Sequence, residues 1–187
     1  MVAHPTSPRL SVKEFAVLED AASVKHELIN GRVVAMSGGT MEHAGLAAAV
    51  SFQLSLGLRG KPCRVFSSDL RVVVPDTGLV TYPDVTVVCG KPELHPDDLH
   101  ATVNPSVIVE VLSDSTEAHD RGAKASHYRR LPSLKAYVLV SQNEPRIEVQ
   151  RRTAEGRWEI SEFVPGQNVE VMGVSFPVDA VYEDPLA

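Results

Sequence analysis

Apolar residues recur along this chain in two rhythms, and the switches between them mark the elements. Ser11-Val12-Lys13-Glu14 is a capping box, and the pattern behind it predicts a short helix from Ser11 to about Asp20. His26 to Ile29 and Arg32 to Met36, joined by Asn30-Gly31, predict a hairpin with a type I′ turn. Thr40 can cap a long apolar helix to about Arg59, in which Leu46, Val50, Leu54 and Leu58 repeat every four residues. The pattern then turns β-branched. Cys63 to Val74 reads as one long strand or a bulged pair, Leu79 to Val88 as a strand, and Ser106 to Leu112 as another. Between the last two, Lys91 to Asn104 has two prolines and reads as a surface loop. Thr116 can cap a helix from Glu117 to about Leu131, followed by a strand from Ala136 to Val140. Ile147 to Arg152 and Trp158 to Val164 predict a terminal hairpin.

Helix, three strands, helix, strand is a mixed α/β arrangement with a hairpin added at either end. The 187 residues fit one domain with a real core, expected over 11–187 behind a short disordered lead at 1–10. No apolar run is long enough to cross a membrane, and the first residues lack the basic and apolar blocks of a signal peptide. The expected setting is the cytoplasm, with Cys63 and Cys89 as two separate reduced thiols. A net charge of −6 argues against general, charge-driven binding of nucleic acid, though not against a basic rim around a local acidic site.

Two carboxylates break the strand pattern. Asp84 stands in Tyr82-Pro83-Asp84-Val85-Thr86-Val87-Val88, and Glu110 in Val107-Ile108-Val109-Glu110-Val111-Leu112. Burying an unpaired carboxylate costs several kcal/mol, so such an acid needs a partner or an ion. Side chains alternate along a strand, so Asp84 and Glu110 converge if their strands are neighbours. Mg²⁺ or Mn²⁺ takes a few carboxylate oxygens, keeps waters and accepts phosphate in the remaining positions. A lysine two residues after the Glu would complete such a site, but that position is Leu112. Lys124, on the following helix, is the best replacement, with Tyr128 on the same helix face. The plainer alternatives are a core acid paired with arginine for Glu110, a cap or turn acid for Asp84, and a surface lysine paired with Asp120 for Lys124. Glu42 and His43, at a helix N-terminus, are accessory candidates for a metal or phosphate contact. For Glu42 the plainer reading is a favourable place in the helix dipole. Asp69 reads as a turn acid. His119 and His127 lack zinc-ligand spacing. Arg129-Arg130 and Arg151-Arg152 read as solvated pairs, with DNA-backbone contact as the sharper alternative.

These residues bring a resemblance into view. Pro83-Asp84, Glu110-Val111-Leu112-Ser113 and Asp120 with Lys124 and Tyr128 resemble the PD-(D/E)XK nuclease superfamily. More closely, the chain is similar to the bacterial Uma-two family of restriction-endonuclease-like proteins from about Ser11 to Val164, including Glu27-Leu28-Ile29-Asn30-Gly31 and Glu42-His43. The resemblance implies a restriction-endonuclease-like αβββαβ core, a metal held by Asp84 and Glu110, and a lysine moved to the helix at Lys124. Asp114 and Ser141-Gln142 depart from the family pattern without touching these residues. The expected function is Mg²⁺- or Mn²⁺-dependent endonuclease cleavage of DNA. A nuclease fold kept only for binding is the alternative. Cutting both strands needs two sites, which predicts a homodimer, with the His26–Met36 hairpin or the C-terminal strands as the first choice of interface.

Overall fold

The computed structural model describes residues 9–183, so the expected lead at 1–10 lies outside the described residues except for Arg9 and Leu10. Leu10 is tied down, its N–H donating to the Gly31 carbonyl. Helix α1 (Val12–Ala21) starts on the expected capping box: Ser11 accepts from the Glu14 N–H, and Glu14 reaches back to the Ser11 N–H. Strands β1 (His26–Ile29) and β2 (Arg32–Ala35) form the hairpin, with Asn30 and Gly31 both at positive φ, as a type I′ turn requires. Helix α2 (Met41–Gly57) follows, with Thr40 accepting from the His43 N–H.

The β-branched stretch divides between two sheets. Strand β3 (Cys63–Ser67) and β4 (Arg71–Val74) lie in different sheets, as do β5 (Leu79–Thr81) and β6 (Val85–Cys89). The single strand expected over Leu79 to Val88 is therefore wrong. It breaks at Tyr82-Pro83-Asp84, where proline cannot donate to a ladder and the chain passes from one sheet to the other. The surface loop expected over Lys91 to Asn104 is also corrected. It holds β7 (Leu94–His95) and β8 (Asp98–Thr102), and β8 pairs parallel to β4 with Ala101 and Thr102 buried.

Strand β9 (Val107–Leu112) comes next, then a helical run in three pieces: α3 (Glu117–His119), a π-helical stretch (Asp120–Lys124) and α4 (Ala125–Tyr128). The remainder is β10 (Ala136–Ser141), the hairpin β11 (Ile147–Arg152) and β12 (Trp158–Phe163), a second hairpin β13 (Asn168–Val171) and β14 (Val174–Pro177), and α5 (Asp179–Tyr182). One six-stranded sheet has the order β2-β1-β5-β4-β8-β7, and the other β12-β11-β10-β9-β6-β3. Within the second, α2, β3, β6, β9, the three-piece helix and β10 make the αβββαβ series. Only β9 and β10 run parallel in it; every other pair is antiparallel.

Alternation along β9 decides what each helix covers. Val107, Val109 and Val111 join Leu46, Val50 and Leu54 of α2 in one core cluster. Ile108 and Leu112 join Ala125, Tyr128, Leu131 and Leu134 in another. Glu110, between Ile108 and Leu112, must therefore face the three-piece helix. A further cluster of Phe15, Leu28, Val73, Val80 and Ala101 holds α1 on the first sheet.

The cysteines also need correcting. The β3–β6 register places Cys63 directly opposite Cys89, with Cα atoms 4.0 Å apart, and the two form a disulfide rather than two reduced thiols. Strand register, which spacing alone does not carry, decides that pairing.

Candidate active site

Glu110 is buried on the inner face of β9, and two side chains of the helical run reach it. Lys124 Nζ lies 3.3 Å from Glu110 Oε1. Tyr128 OH donates to the same oxygen at 2.8 Å. Residues four apart share a helix face, which is why both point the same way. The local winding is π-helical at Asp120–Lys124, a widening frequent at functional sites. Lys124 Nζ also stands 3.0 Å from Glu27 Oε1 and 3.5 Å from Asp120 Oδ1. Thr81 of β5 closes the ring: its hydroxyl donates to Glu27 Oε1 and lies 3.3 Å from Tyr128 OH. Lys124 is only 8% exposed, so it is not the surface lysine that spacing with Asp120 also allowed, although that i, i+4 contact is present.

Asp84 sits at the sheet crossing, one residue before Val85, which pairs with Val109 of β9. Its Oδ2 accepts from the Val111 N–H at 2.7 Å and lies 3.3 Å from His43 Nε2. His43 comes from the first turn of α2, anchored by Thr40, whose hydroxyl also accepts from Gln142 Nε2 at 2.9 Å. Asp84, one residue ahead of β6, thus stands close to the stretch of the neighbouring β9 that carries Glu110. Glu42 is not drawn in. It is exposed in the first turn of α2, without a hydrogen bond or ion pair among the described residues, a placement that suits the helix dipole.

Electrostatics sets these residues apart from an ordinary ion pair. Burial pushes the Glu110 carboxyl up to about 8, with Lys124 pulling it back and Asp84, Asp120 and Glu27 raising it further. Asp120 is raised as well, again by burial against the pull of Lys124. Burial works to lower Lys124, yet Glu110, Glu27 and Asp120 together hold its ammonium well above the ordinary value. The hydrogen bond to Asp84 raises His43, against the opposing effect of burial. Tyr128 is held protonated by burial and by Glu110. Three carboxyls gather around one lysine. The Asp84 and His43 side chains, 17% and 20% exposed, form the edge nearest solvent.

Sequence reasoning passed over Glu27 and Thr81 as site residues. The signal for Glu27 was present, since it is an acid in an apolar strand, like Glu110. Nothing local marks Thr81. The remaining candidates have other work. Asp69 lies in the turn after β3 and pairs with Lys25 at 2.5 Å. Arg129 and Arg152 lie over the Trp158 ring, and Arg152 donates to the carbonyls of Arg129 and Leu131 at the end of α4. Arg151 donates to the Glu170 carbonyl. No group of three or more His, Cys, Asp or Glu among the described residues forms a ready-made metal cage, His119 and His127 included.

Comparison with known proteins bears on this arrangement. The Uma2 family model, described as "Putative restriction endonuclease", matches residues 12–180. Two relatives from Synechocystis sp. carry no described activity. The uncharacterized protein slr1290 is 35% identical over 190 residues, spanning 97% of either chain. The uncharacterized protein sll1609 is 30% identical over 171 residues, spanning 91% of this chain and 96% of its own. Among solved structures, one from Anabaena variabilis described as "a putative nuclease belonging to DUF820" superposes with a TM-score of 0.75. It is 15% identical and covers 92% of this chain and 97% of its own, a likeness of fold. Among the described residues no helix is long and apolar enough to cross a membrane.

Proposed function

The chain belongs to the Uma2 family, and from that premise we propose that it is a divalent-metal-dependent endonuclease that hydrolyses DNA phosphodiester bonds. One observation carries this reading. Lys124 Nζ is held within 3.5 Å of Glu27, Glu110 and Asp120, on the face of β9 next to the strand that Asp84 enters. Buried carboxyls in excess of buried cations favour a further cation.

The donor set fits Mg²⁺ or Mn²⁺. It is a pair of carboxylates, one on β9 and one just ahead of β6, and Glu110 accepts both of its hydrogen bonds on Oε1. A site with two carboxylates leaves the rest of the coordination shell to water and substrate phosphate. Held by Asp84 and Glu110, the ion would supply a bound water of lowered pKa and a counter-charge for the phosphate. The protein groups do the positioning. Tyr128 fixes Glu110 through Oε1, and the Val111 N–H with His43 fixes Asp84. The acids around Lys124 favour its ammonium form. This supports a role as donor, orienting the attacking water or stabilising developing charge, rather than as general base.

The test is nicking of supercoiled plasmid in Mg²⁺ and in Mn²⁺. The parent should cut, while Asp84→Asn and Glu110→Gln should lose both cleavage and calorimetric metal binding. A specific observation favours a second reading, in which the fold binds without cutting: Glu110 is 4% exposed and already engaged by Lys124 and Tyr128. A parent that binds neither ion and cuts no form of DNA would establish that reading in place of the first.

A further inference from the structure

Helix α2 is apolar on both sides, yet the described residues cover only one. No charged residue occurs from Ala44 to Leu58. Leu46, Val50, Leu54 and Leu58 bury the inner side against the sheet. Met41, Phe52 and Leu56 lie on the outer side at 89%, 60% and 46% exposure, and Ala44, Gly45 and Ala48 are exposed between them. At 100° per residue these six fall in one stripe. A helix that is apolar all round is normally buried all round.

Gly45 is the second observation. Glycine is a poor residue for a helix interior, so it needs a reason to be there. At Gly57 the reason lies inside the chain, because a Cβ there would clash with the Val174 side chain. At Gly45 a Cβ would meet nothing within 4 Å, and its φ is not positive. Nothing in the packing of the described residues requires glycine at this position. A hole in the middle of an exposed apolar stripe suits a knob from outside.

We propose that the outer face of α2 is a homodimer interface, with α2 packed antiparallel against α2 of a second copy. The stripe is complementary to itself in that direction. With the two-fold axis beside Ala48, Phe52 of one copy lies over Gly45 of the other, and Met41 lies against Leu56. Alanine and glycine at the crossing allow the helices to approach at the short end of the usual 8–10 Å range. Charge agrees with the pairing. Glu42 borders the stripe at its N-terminal end and Arg59 at its C-terminal end, and the antiparallel arrangement brings each within about a turn of the other copy's opposite charge. A parallel pair would instead place like charges together. The self-matching of one patch is what a closed two-fold interface requires. This face, rather than the β1–β2 hairpin or the C-terminal strands, holds the largest exposed apolar side chains in one line. The interface does not depend on the nuclease reading. Under that reading the pairing gives two sites for two strands, with the His43 positions about 16 Å apart along the helix axes.

Light scattering on the full chain at high micromolar concentration should give twice 20.3 kDa. Phe52→Glu should give monomer with an unchanged circular dichroism spectrum. Mild oxidation of Ala48→Cys should yield an intermolecular disulfide much faster than oxidation of Val17→Cys, which is 70% exposed on α1. The cross-linking result stands even if Phe52→Glu misfolds. A parent that is monomeric, a folded Phe52→Glu that stays dimeric, or cross-linking no faster at position 48 than at 17 would each overturn the proposal. None of these measurements reads cleavage, so loss of the nuclease reading would leave them unaffected.

Discussion

Two buried cations in this molecule sit among acids, and they are settled in opposite ways. Arg71, 7% exposed on β4, is fully partnered. It donates from Nη2 to Asp20 at 2.6 Å, from Nη1 to both oxygens of Asp98 at 3.1 and 3.2 Å, and from Nε to Tyr82 OH at 2.6 Å. Tyr82 passes the chain on to Glu19 at 3.0 Å, and Glu19 holds His26 through two contacts at 2.9 Å. Asp20 is lowered by its hydrogen bond to Arg71. Planar guanidinium geometry satisfies several acceptors at once, so the network is closed. Lys124 has a compact ammonium facing three carboxylates, two of which are pushed upward. Asp120 Oδ1 has no hydrogen-bond partner among the described residues. The Arg71 network ties α1, β4 and β8 together and needs nothing more. The Lys124 network carries an imbalance that another cation would relieve.

The largest effect that separates them is on stability. Arg71→Met leaves Asp98, 3% exposed, buried without its partner. Breaking a buried pair in this way costs about 3–5 kcal/mol. Urea unfolding should show that loss, and cleavage by Arg71→Met should fall only in proportion to the folded fraction. A change below about 1 kcal/mol would mean that the Arg71 network is not the strut described here.

Lys124→Ala should show the opposite profile. Cleavage should fall about 10²-fold, the scale of losing one electrostatic stabiliser, while calorimetric metal binding survives. Equal cleavage by parent and variant would remove Lys124 from the chemistry and leave it a structural cation like Arg71.

The difference between the networks also shows what the sequence could and could not convey. Glu110 was legible because β9 is otherwise an unbroken apolar run, and a charge inside such a run stands out. Lys124 was legible because a helix behind that strand offers few basic residues that could reach back. The capping box, the type I′ turn and the four-residue repeat of α2 are local signals, and those elements form as expected. What was lost depended on distant partners. Strand-like residues flank Tyr82-Pro83-Asp84 on both sides, so the change of sheet was hidden although Pro83 hinted at it. Strand β8 was hidden by polar residues and turn residues, because Asp98 is buried only through Arg71, 27 residues away. Cys63 and Cys89 needed a register, and Thr81 needed its distant partners Glu27 and Tyr128. The hairpin β13–β14 and α5 lie beyond the last segment that the pattern resolved.

The last effect is a slope with pH, and it should appear in the Lys124 network. Glu110 is raised from an ordinary 4.5 to about 8 in the folded chain, and Asp120 is raised too. Between those limits the folded state holds more protons than the unfolded state, so stability falls as pH rises. Each such group contributes at most about 1.4 kcal/mol per pH unit. Metal-free protein should therefore be most stable near pH 5 and lose stability toward pH 8, through these groups and through His43, which is raised in the same sense. Glu110→Gln cannot ionise, so it should flatten the slope and match or exceed the parent in stability at pH 8. The Arg71–Asp20 pair adds no slope in this window, since Asp20 is lowered and Arg71 stays charged throughout. Added Mn²⁺ should reverse the trend for the parent and not for Glu110→Gln, because the ion binds the charged carboxylate that burial disfavours. Thermal unfolding at intervals from pH 5 to pH 8, with and without Mn²⁺, measures all four slopes. A parent slope unchanged by Glu110→Gln would mean that Glu110 is already ionised at pH 5. The site would then lack the imbalance that distinguishes it from the Arg71 network.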